Sequence, residues 1–496
     1  MTTYLLLLVL AATVPYVNSL QGVFVFDDFR SIASNPAVHH LLPKGFFADC
    51  FPETGLSGRP VVILSFSLNY ALHGLRGPGY HAVNILLHTL CGLLLFGVLR
   101  RSFQNPLLHE RYGRVASALA CTISLLWLIH PLNTQSVTYL SGGRSELFMG
   151  FFYLLTLYCF LRQWRAGAVL ACALGMMSKE TMVSAPLFLL LYDRVFVSGS
   201  ACVALRRKPL FYAGLAATLA VLFLIMATGP RARSVGFVRG GVTGWEYLLT
   251  QAGVILHYLR LSFWPDPLVI DYLDWPIVRN AARAAGPGLV ILAGLAASFW
   301  LTFRKRPAGL LGIWFFFLLA PSSSFVAIPT EPATERRMYL PLIAVVAVAV
   351  LAGWELIRRF VPEDRRKAVS FALVGATALV FGLATVRQNA LYARESTLLE
   401  HTVAHRPANG RARSNLAFAL YYEGRFQEAE EQARRAIPLM PEYARSRGYG
   451  ALGLALEKQG KREEAIEAYR EALGWDRYYK LAEDRLRQLI GVEPPN

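Results

Sequence analysis

What most restricts this chain is a succession of apolar runs, each near the ~20 residues a helix needs to cross hydrocarbon. No water reaches the backbone there, so segments of this kind fold as helices. The runs cover residues 3–20, 81–99, 115–130, 147–161, 166–177, 182–197, 210–228, 247–263, 289–303, 310–328, 338–356 and 368–386. Twelve crossings would return the C-terminal region to the starting side. Arg304-Lys305-Arg306 and the basic cluster 358–367 both prefer the cytoplasm, which puts the region after the last span outside. One crossing is therefore overcounted. The weak points are the Arg-rich connection 231–239 and the short pieces 166–177 and 182–197, parted by Ser178-Lys179-Glu180-Thr181. Broken helices are tolerated where they line a cavity. By contrast, 61–70 after Arg59-Pro60 is short and rich in Ser and Asn, which fits a helix in the membrane interface.

A hydrophobic content of 54% agrees with a polytopic helical membrane protein. The net charge of +17 raises the question of nucleic acid. However, basic clusters such as Arg206-Arg207-Lys208 lie between spans, where they orient helices, and no nucleic-acid partner is expected. The six cysteines lack metal-ligand spacing, so neither a zinc site nor a disulfide framework is expected. The first run has no charged region ahead of it and is read as an uncleaved span.

After residue 386 the composition changes. Gly424 and Gly460, Ala429 and Ala465, and Ala436 and Ala472 each stand 36 positions apart. With Leu416-Ala417 and Leu452-Gly453 they form two copies of a unit that looks like a tetratricopeptide repeat, somewhat longer than the usual ~34 residues. The division expected is a multispan domain over 1–390, with a first outer loop at 21–79. A small α-solenoid over 391–496 follows, with repeats at 410–443 and 446–479. Two repeats are few for a free solenoid, so a protein partner, self-association or docking is expected of them.

Polar islands recur at the ends of spans: Asp27-Asp28, residues 130–146, Ser178-Lys179-Glu180 and 331–339. Ionisable groups at a membrane boundary are costly and mark function by default. Arg336 and Arg337 lie outside by the orientation above, against the charge tendency, and a guanidinium fork suits phosphate oxygens. Arg144 and Lys179 can join them. The bland alternative pairs Arg336 with Glu335 and Lys179 with Glu180. A lipid-linked phosphosugar would put its phosphate among such cations, while Asp27 or Asp28 takes a proton from an attacking hydroxyl.

In order along the chain, Phe26-Asp27-Asp28, Asn35-Pro36, Arg59-Pro60 to Asn69-Tyr70, and Gly79-Tyr80-His81 with Asn84 and His88 come first. His130-Pro131, Gly143-Arg144-Ser145-Glu146 and Ser178-Lys179-Glu180 follow. Trp264-Pro265 with Pro267 and Asp271-Tyr272, then Glu335 to Pro341, complete the series. This order resembles the O-mannosyltransferase-like membrane proteins with tetratricopeptide repeats, of the GT-C class. The resemblance implies an all-α fold, a polytopic transmembrane helical bundle followed by a small α-solenoid. It implies an inverting, metal-independent transferase with no cofactor, using a polyprenyl-phosphate sugar donor. Its acidic pair (Asp27, Asp28) would be catalytic. Arg144, Lys179, Glu180, Arg336, Arg337 and Tyr339 would hold the donor, with Arg59, His81 and His130 as further substrate contacts. Active site and repeats would lie on the non-cytoplasmic side, of the bacterial inner membrane or of the endoplasmic reticulum. Asn133 and Gln135 depart from the His and Glu frequent in animal relatives.

The reading is thus a membrane glycosyltransferase moving one hexose, mannose as first candidate, to a hydroxyl of protein. Transfer to glycan or lipid, and a non-catalytic anchored scaffold, are its rivals.

Overall fold

The computed structural model describes residues 1–40, 55–228, 238–239 and 241–491. Asp49, Cys50, Glu53 and 231–237 of the Arg-rich connection lie outside the described residues. The helices, in order, are α1 (Thr2–Thr13), α2 (Pro36–His39), α3 (Pro60–His73), α4 (Gly77–Phe103), α5 (Pro106–Tyr112), α6 (Ala116–Leu128), α7 (Thr134–Thr138) and α8 (Leu140–Leu161). There follow α9 (Arg165–Met176), α10 (Ala185–Asp193), α11 (Ala201–Arg207), α12 (Pro209–Thr228), α13 (Gly244–Phe263), α14 (Ala281–Phe303), α15 (Ala308–Leu319), α16 (Pro341–Phe360) and α17 (Glu363–Ala390). The C-terminal set is α18 (Glu395–His405), α19 (Gly410–Tyr422), α20 (Phe426–Ala436), α21 (Arg445–Lys458), α22 (Arg462–Trp475) and α23 (Lys480–Ile490). Two antiparallel two-residue strands, Val238–Arg239 and Val242–Thr243, are the sheet among the described residues.

Helix starts follow local chemistry. The side chains of Asn35, Asn105, Asn280 and Asn409 each accept a backbone N–H of the first turn. Thr243 and Glu246 form a reciprocal capping box on α13. Proline stands in the first turn of α2, α3, α5 and α16, where its missing N–H costs nothing.

Eight helical segments among the described residues are long and apolar enough to cross a membrane. A ninth arises if Pro106–Leu128 and Pro131–Thr138, bent by 56°, count as one. The protein is therefore multi-pass, with fewer spans than the twelve runs. The excess is traceable. α9 and α15 are 12 residues each, too short to cross straight. α13 carries Glu246, Gln251, His257 and Arg260 and does not qualify. The interfacial segment after Arg59 is the 14-residue α3.

The chain forms two compact units. The first is Met1–Leu268 with Ile277–Tyr392, and the second is Val269–Pro276 with Ala393–Asn496. Residues 269–276, read from sequence with the membrane domain, thus group with the C-terminal helices. In the second unit α19/α20 and α21/α22 are the two repeated hairpins, flanked by α18 and α23. Ala417, Ala429, Ala436, Ala465 and Ala472 are fully buried where the helices approach. Gly424 and Gly460 occupy the hairpin turns at φ +80° and +78°, a region open to glycine. Asp271 accepts from Arg411 Nε and Nη2 at 2.8 and 2.5 Å, and its carbonyl accepts from Asn409. Arg406 binds Asp274 at 2.9 Å and lies over the rings of Tyr272 and Trp275.

Asp271 is almost wholly buried while Arg411 keeps some solvent. Asp271→Ala should therefore cost less than a fully buried pair, about 2 kcal/mol. Hydrogen exchange over 410–422 in the full chain should accelerate roughly 30-fold; an unchanged rate would show that this pair does not hold the segment.

Candidate active site around the first turns of α8

The first two turns of α8 organise the site. Tyr139, at the N-cap, offers no side-chain cap. The buried N–H of Ser141, which has no acceptor within the helix, is met instead by a carboxylate from 113 residues earlier, as Asp28 Oδ1 accepts it at 2.7 Å. Asp28 Oδ2 accepts from Val25 N at 3.2 Å. An anion at a helix N-terminus is favoured by the helix dipole and the unpaired amides. Gly142 leaves room for Tyr139 and Arg336, since a Cβ there would lie 2.6 Å from the Tyr139 ring and 3.2 Å from Arg336 Nε. At Gly143 a Cβ would sit 2.2 Å from the Ser136 carbonyl oxygen, so α7 and α8 touch backbone to backbone. Ser145 Oγ accepts from Arg59 at 3.1 Å, and Glu146 pairs with Lys179.

The acidic pair is split by the fold. Asp28 is fully buried, whereas Asp27 is exposed. Phe26 before them sits at φ +55°, a left-handed conformation that is strained for a bulky residue. The loop is pinned on both sides. His81 Nε2 meets the Gly22 carbonyl at 3.2 Å, and Asn35 both caps α2 and donates to Ser31 O. Ile32, Val38, Val62, Phe66 and Leu140 pack beneath it. Burial pushes the Asp28 carboxyl up to about 7, against the Ser141 and Val25 amides that favour the carboxylate; Asp27 adds to the rise.

Arg336 closes the opposite side. Its Nη2 reaches both oxygens of Glu331 at 2.7 and 2.6 Å, its Nη1 donates to Thr334, and its guanidinium lies 5.9 Å from the Tyr139 ring centre. Gln135 Oε1 accepts from both the Arg336 amide and the Thr334 hydroxyl. Burial works against the Arg336 charge, but Glu331 overcomes it and the guanidinium pKa is raised. Tyr139 is raised by burial and then by the charges of Asp27 and Asp28, with Arg336 opposing. Acidic pair, phenol and guanidinium therefore share one electrostatic locality.

Neither local pairing read from sequence forms as drawn. Arg336 takes Glu331, Lys179 takes Glu146, and Glu180 accepts from Arg59 at 3.3 Å. Glu331 and Glu180 keep 31% and 34% of their side-chain surface against 2% for Glu146. The first two ion pairs are therefore in contact with water, whereas Glu146 could leave Lys179 only by carrying an unpaired charge inside.

Other expected contacts are turned inward. Arg144, fully buried, donates to Asn84, Asn69, Ser65 and the Tyr80 carbonyl, with Phe66 under its guanidinium. Arg337 donates to the carbonyls of Glu331 and Pro332 and to Tyr247. The Tyr339 hydroxyl meets His88 Nδ1 at 2.9 Å in the core. His130 Nδ1 accepts from Leu132 N, so its Nε2 carries the hydrogen donated to Ser262 O. Both His130 nitrogens are thereby used, and His130-Pro131 is a helix start. These residues, with His81, position the site and do not face its open side. Gln135, Tyr139, Glu146 and Glu331 belong to this cluster, and the sequence reading gives none of them a site role. The signal available was their place within the polar islands.

Gly143→Ala should abolish monodisperse folded protein, because backbone cannot yield where a side chain can. Gly142→Ala should remain folded while shifting Tyr139 and Arg336; size-exclusion profiles of the two separate these outcomes. The raised Asp28 pKa means its stability contribution is complete below the unfolded value of about 4 and lost as pH rises through about 7. The thermal midpoint in detergent should fall between pH 5.5 and 8 more steeply in the native protein than in Asp28→Asn.

Residues 410–439 and 446–479 match tetratricopeptide repeat models. A protein O-mannosyl-transferase of Caenorhabditis elegans is 26% identical over 460 residues, 88% of this chain and 63% of the relative. The human protein O-mannosyl-transferase TMTC1 is 26% identical over 515 residues, 88% of this chain and 55% of its own. Human TMTC3, of the same description, is 24% identical over 93% of this chain. The chain thus spans between about half and two thirds of these relatives' lengths. No solved structure shows significant similarity.

Proposed function

Because the chain is a tetratricopeptide-bearing homologue of protein O-mannosyl-transferases over most of its length, we propose that it is a GT-C-type membrane glycosyltransferase. It moves a single hexose, mannose first, from a polyprenyl-phosphate donor to a hydroxyl, of protein Ser or Thr in the first instance. The observation that carries this is the division of the acidic pair, with one carboxylate locked to the start of α8 and its neighbour presented on a strained turn. Asp27 is the base. It takes the proton from the acceptor hydroxyl as that oxygen attacks the anomeric carbon and the C1–O bond to the lipid phosphate breaks. The bonding pair leaves with the phosphate, and inversion follows from attack opposite it.

Arg336 and Arg59 meet the phosphate by exchanging Glu331 and Glu180 for its oxygens, since both carboxylates reach water. Lys179, held by Glu146, adds positive field without leaving its partner. Asp28 is a positioning residue. Arg337, Arg144, Tyr339, His81 and His130 hold the walls. The chemistry proceeds on the non-cytoplasmic side, by the charge pattern of the last spans. The membrane is the bacterial inner membrane or that of the endoplasmic reticulum, with the repeats receiving the acceptor or another protein.

Labelled polyprenyl-phosphate mannose supplied to membranes tests this reading. Asp27→Asn should lower transfer into protein by about 10²–10⁴-fold while the protein stays folded. Asp28→Asn should lower it with a changed pH profile. Full transfer by Asp27→Asn would remove the base assignment. Absence of label from protein, glycan and lipid, with glucose donors also tried, would favour the anchored scaffold.

A further inference from the structure

The first unit contains a cavity of 360 Å³ at the opposite end of the helices that build the site. It is within the roughly 300–1,000 Å³ of ligand pockets. It is lined by the last two turns of α4, by α5, by Leu154 and Leu157 of α8, and by the start of α15. Leu157 is 16 residues beyond Ser141, about 24 Å along the helix. Its walls are hydrocarbon, from Leu95, Leu99, Leu154, Leu157, Leu310 and Trp314. The polar atoms lining it are already used. Trp314 Nε1 donates to Leu340 O, and the hydroxyls of Ser102 and Tyr192 bond each other at 2.7 Å. Such an interior takes an aliphatic chain and offers nothing to a sugar or nucleotide.

The rim differs. Arg306 and Arg111 both line the cavity and are exposed. Arg111 pairs with Glu355, which it shares with Arg358, while Arg306 makes no ion pair among the described residues. Arg100 and Arg101 end α4, Arg304 and Lys305 precede Arg306, and Arg358 and Arg359 end α16. Glu110 and Glu355 leave this end with a clear positive excess. Spans carry their basic ends to the cytoplasmic leaflet, where anionic lipids gather, and basic pockets between helices there hold phosphate headgroups.

We infer that this cavity is a binding site for an anionic phospholipid of that leaflet, with an acyl chain among the α4, α8 and α15 side chains and its phosphate at Arg306 and Arg111. The site is distinct from the proposed donor site, whose phosphate belongs at the other end of α8. It does not depend on the transferase reading.

The full chain in detergent is given phosphatidylglycerol or phosphatidylcholine of equal chain length, and bound lipid is counted by native mass spectrometry. One phosphatidylglycerol should be retained per chain in preference to phosphatidylcholine. Arg306→Gln, at an exposed position, should lower retention about 5-fold, the worth of one basic residue at a charged leaflet. Leu99→Trp, which fills the cavity, should lower retention of both lipids in a monodisperse protein. Equal retention of the two lipids, or no change in both variants, overturns the inference. So does equal binding of glycerol phosphate, which has no chain. Displacement by polyprenyl phosphate at lower concentration would assign the cavity to the donor's tail and overturn it too.

Discussion

A helix that begins without its own cap sets the arrangement of this site. α8 starts after Tyr139, whose side chain does not accept from the first turn. Its free amide at Ser141 inside the protein requires an acceptor, because an unpaired buried N–H costs about as much as a lost hydrogen bond. Asp28 supplies it from the first loop, and that bond fixes where the loop can lie. The backbone contact at Gly143 sets α7 against α8, and the same two turns receive Arg59 and Lys179. One short stretch, Ser141 to Glu146, thus meets the first loop and the segments before α3, α8 and α10.

The charges around this stretch are arranged by cost. A buried ion pair recovers its desolvation only with good geometry and is weak evidence for stability. The three carboxylate partners differ accordingly. Glu146 is sealed with Lys179, whereas Glu331 and Glu180 stand at the open side with Arg336 and Arg59. Two guanidiniums are therefore oriented by counter-ions that reach water. On the proposed reading an incoming anion meets guanidiniums already held in place. Arg144, spread over neutral acceptors, adds rigidity to the walls instead.

Much of this was legible in sequence, and the failures have physical causes. Apolar runs reported the helices, and the 36-residue spacing reported the repeats down to the turn glycines. Hydropathy cannot separate a full crossing from the 12-residue helices α9 and α15, because both bury the same side chains. Sequence proximity pairs charges between chain neighbours, yet Arg336 passes over Glu335 for Glu331 and Lys179 reaches back to Glu146. Residues 334–338 form a tight turn with Glu335 buried, so its neighbour's guanidinium points elsewhere. Asp271-Tyr272 reads as a loop between spans. Only the arginines of the repeats, more than a hundred residues later, reveal its place in the second unit.

The hardest distinction in the sequence, between two adjacent aspartates, is the one that folding makes most sharply. In a chain of acidic neighbours both carboxyls have the same chemistry, and nothing in the pair predicts which turns inward. The left-handed Phe26 sets the answer: with that residue at φ +55°, Asp28 turns back to Val25 N and across to Ser141 N, and Asp27 is left at the surface. A proton acceptor needs access to its substrate and a pKa that leaves it ionised. Burial raises Asp28 to about 7 and spends both of its oxygens on amides. The strain at Phe26 is thus coupled to a separation of the two carboxylates, one ordering the loop and the other held at the surface, as the proposed base requires.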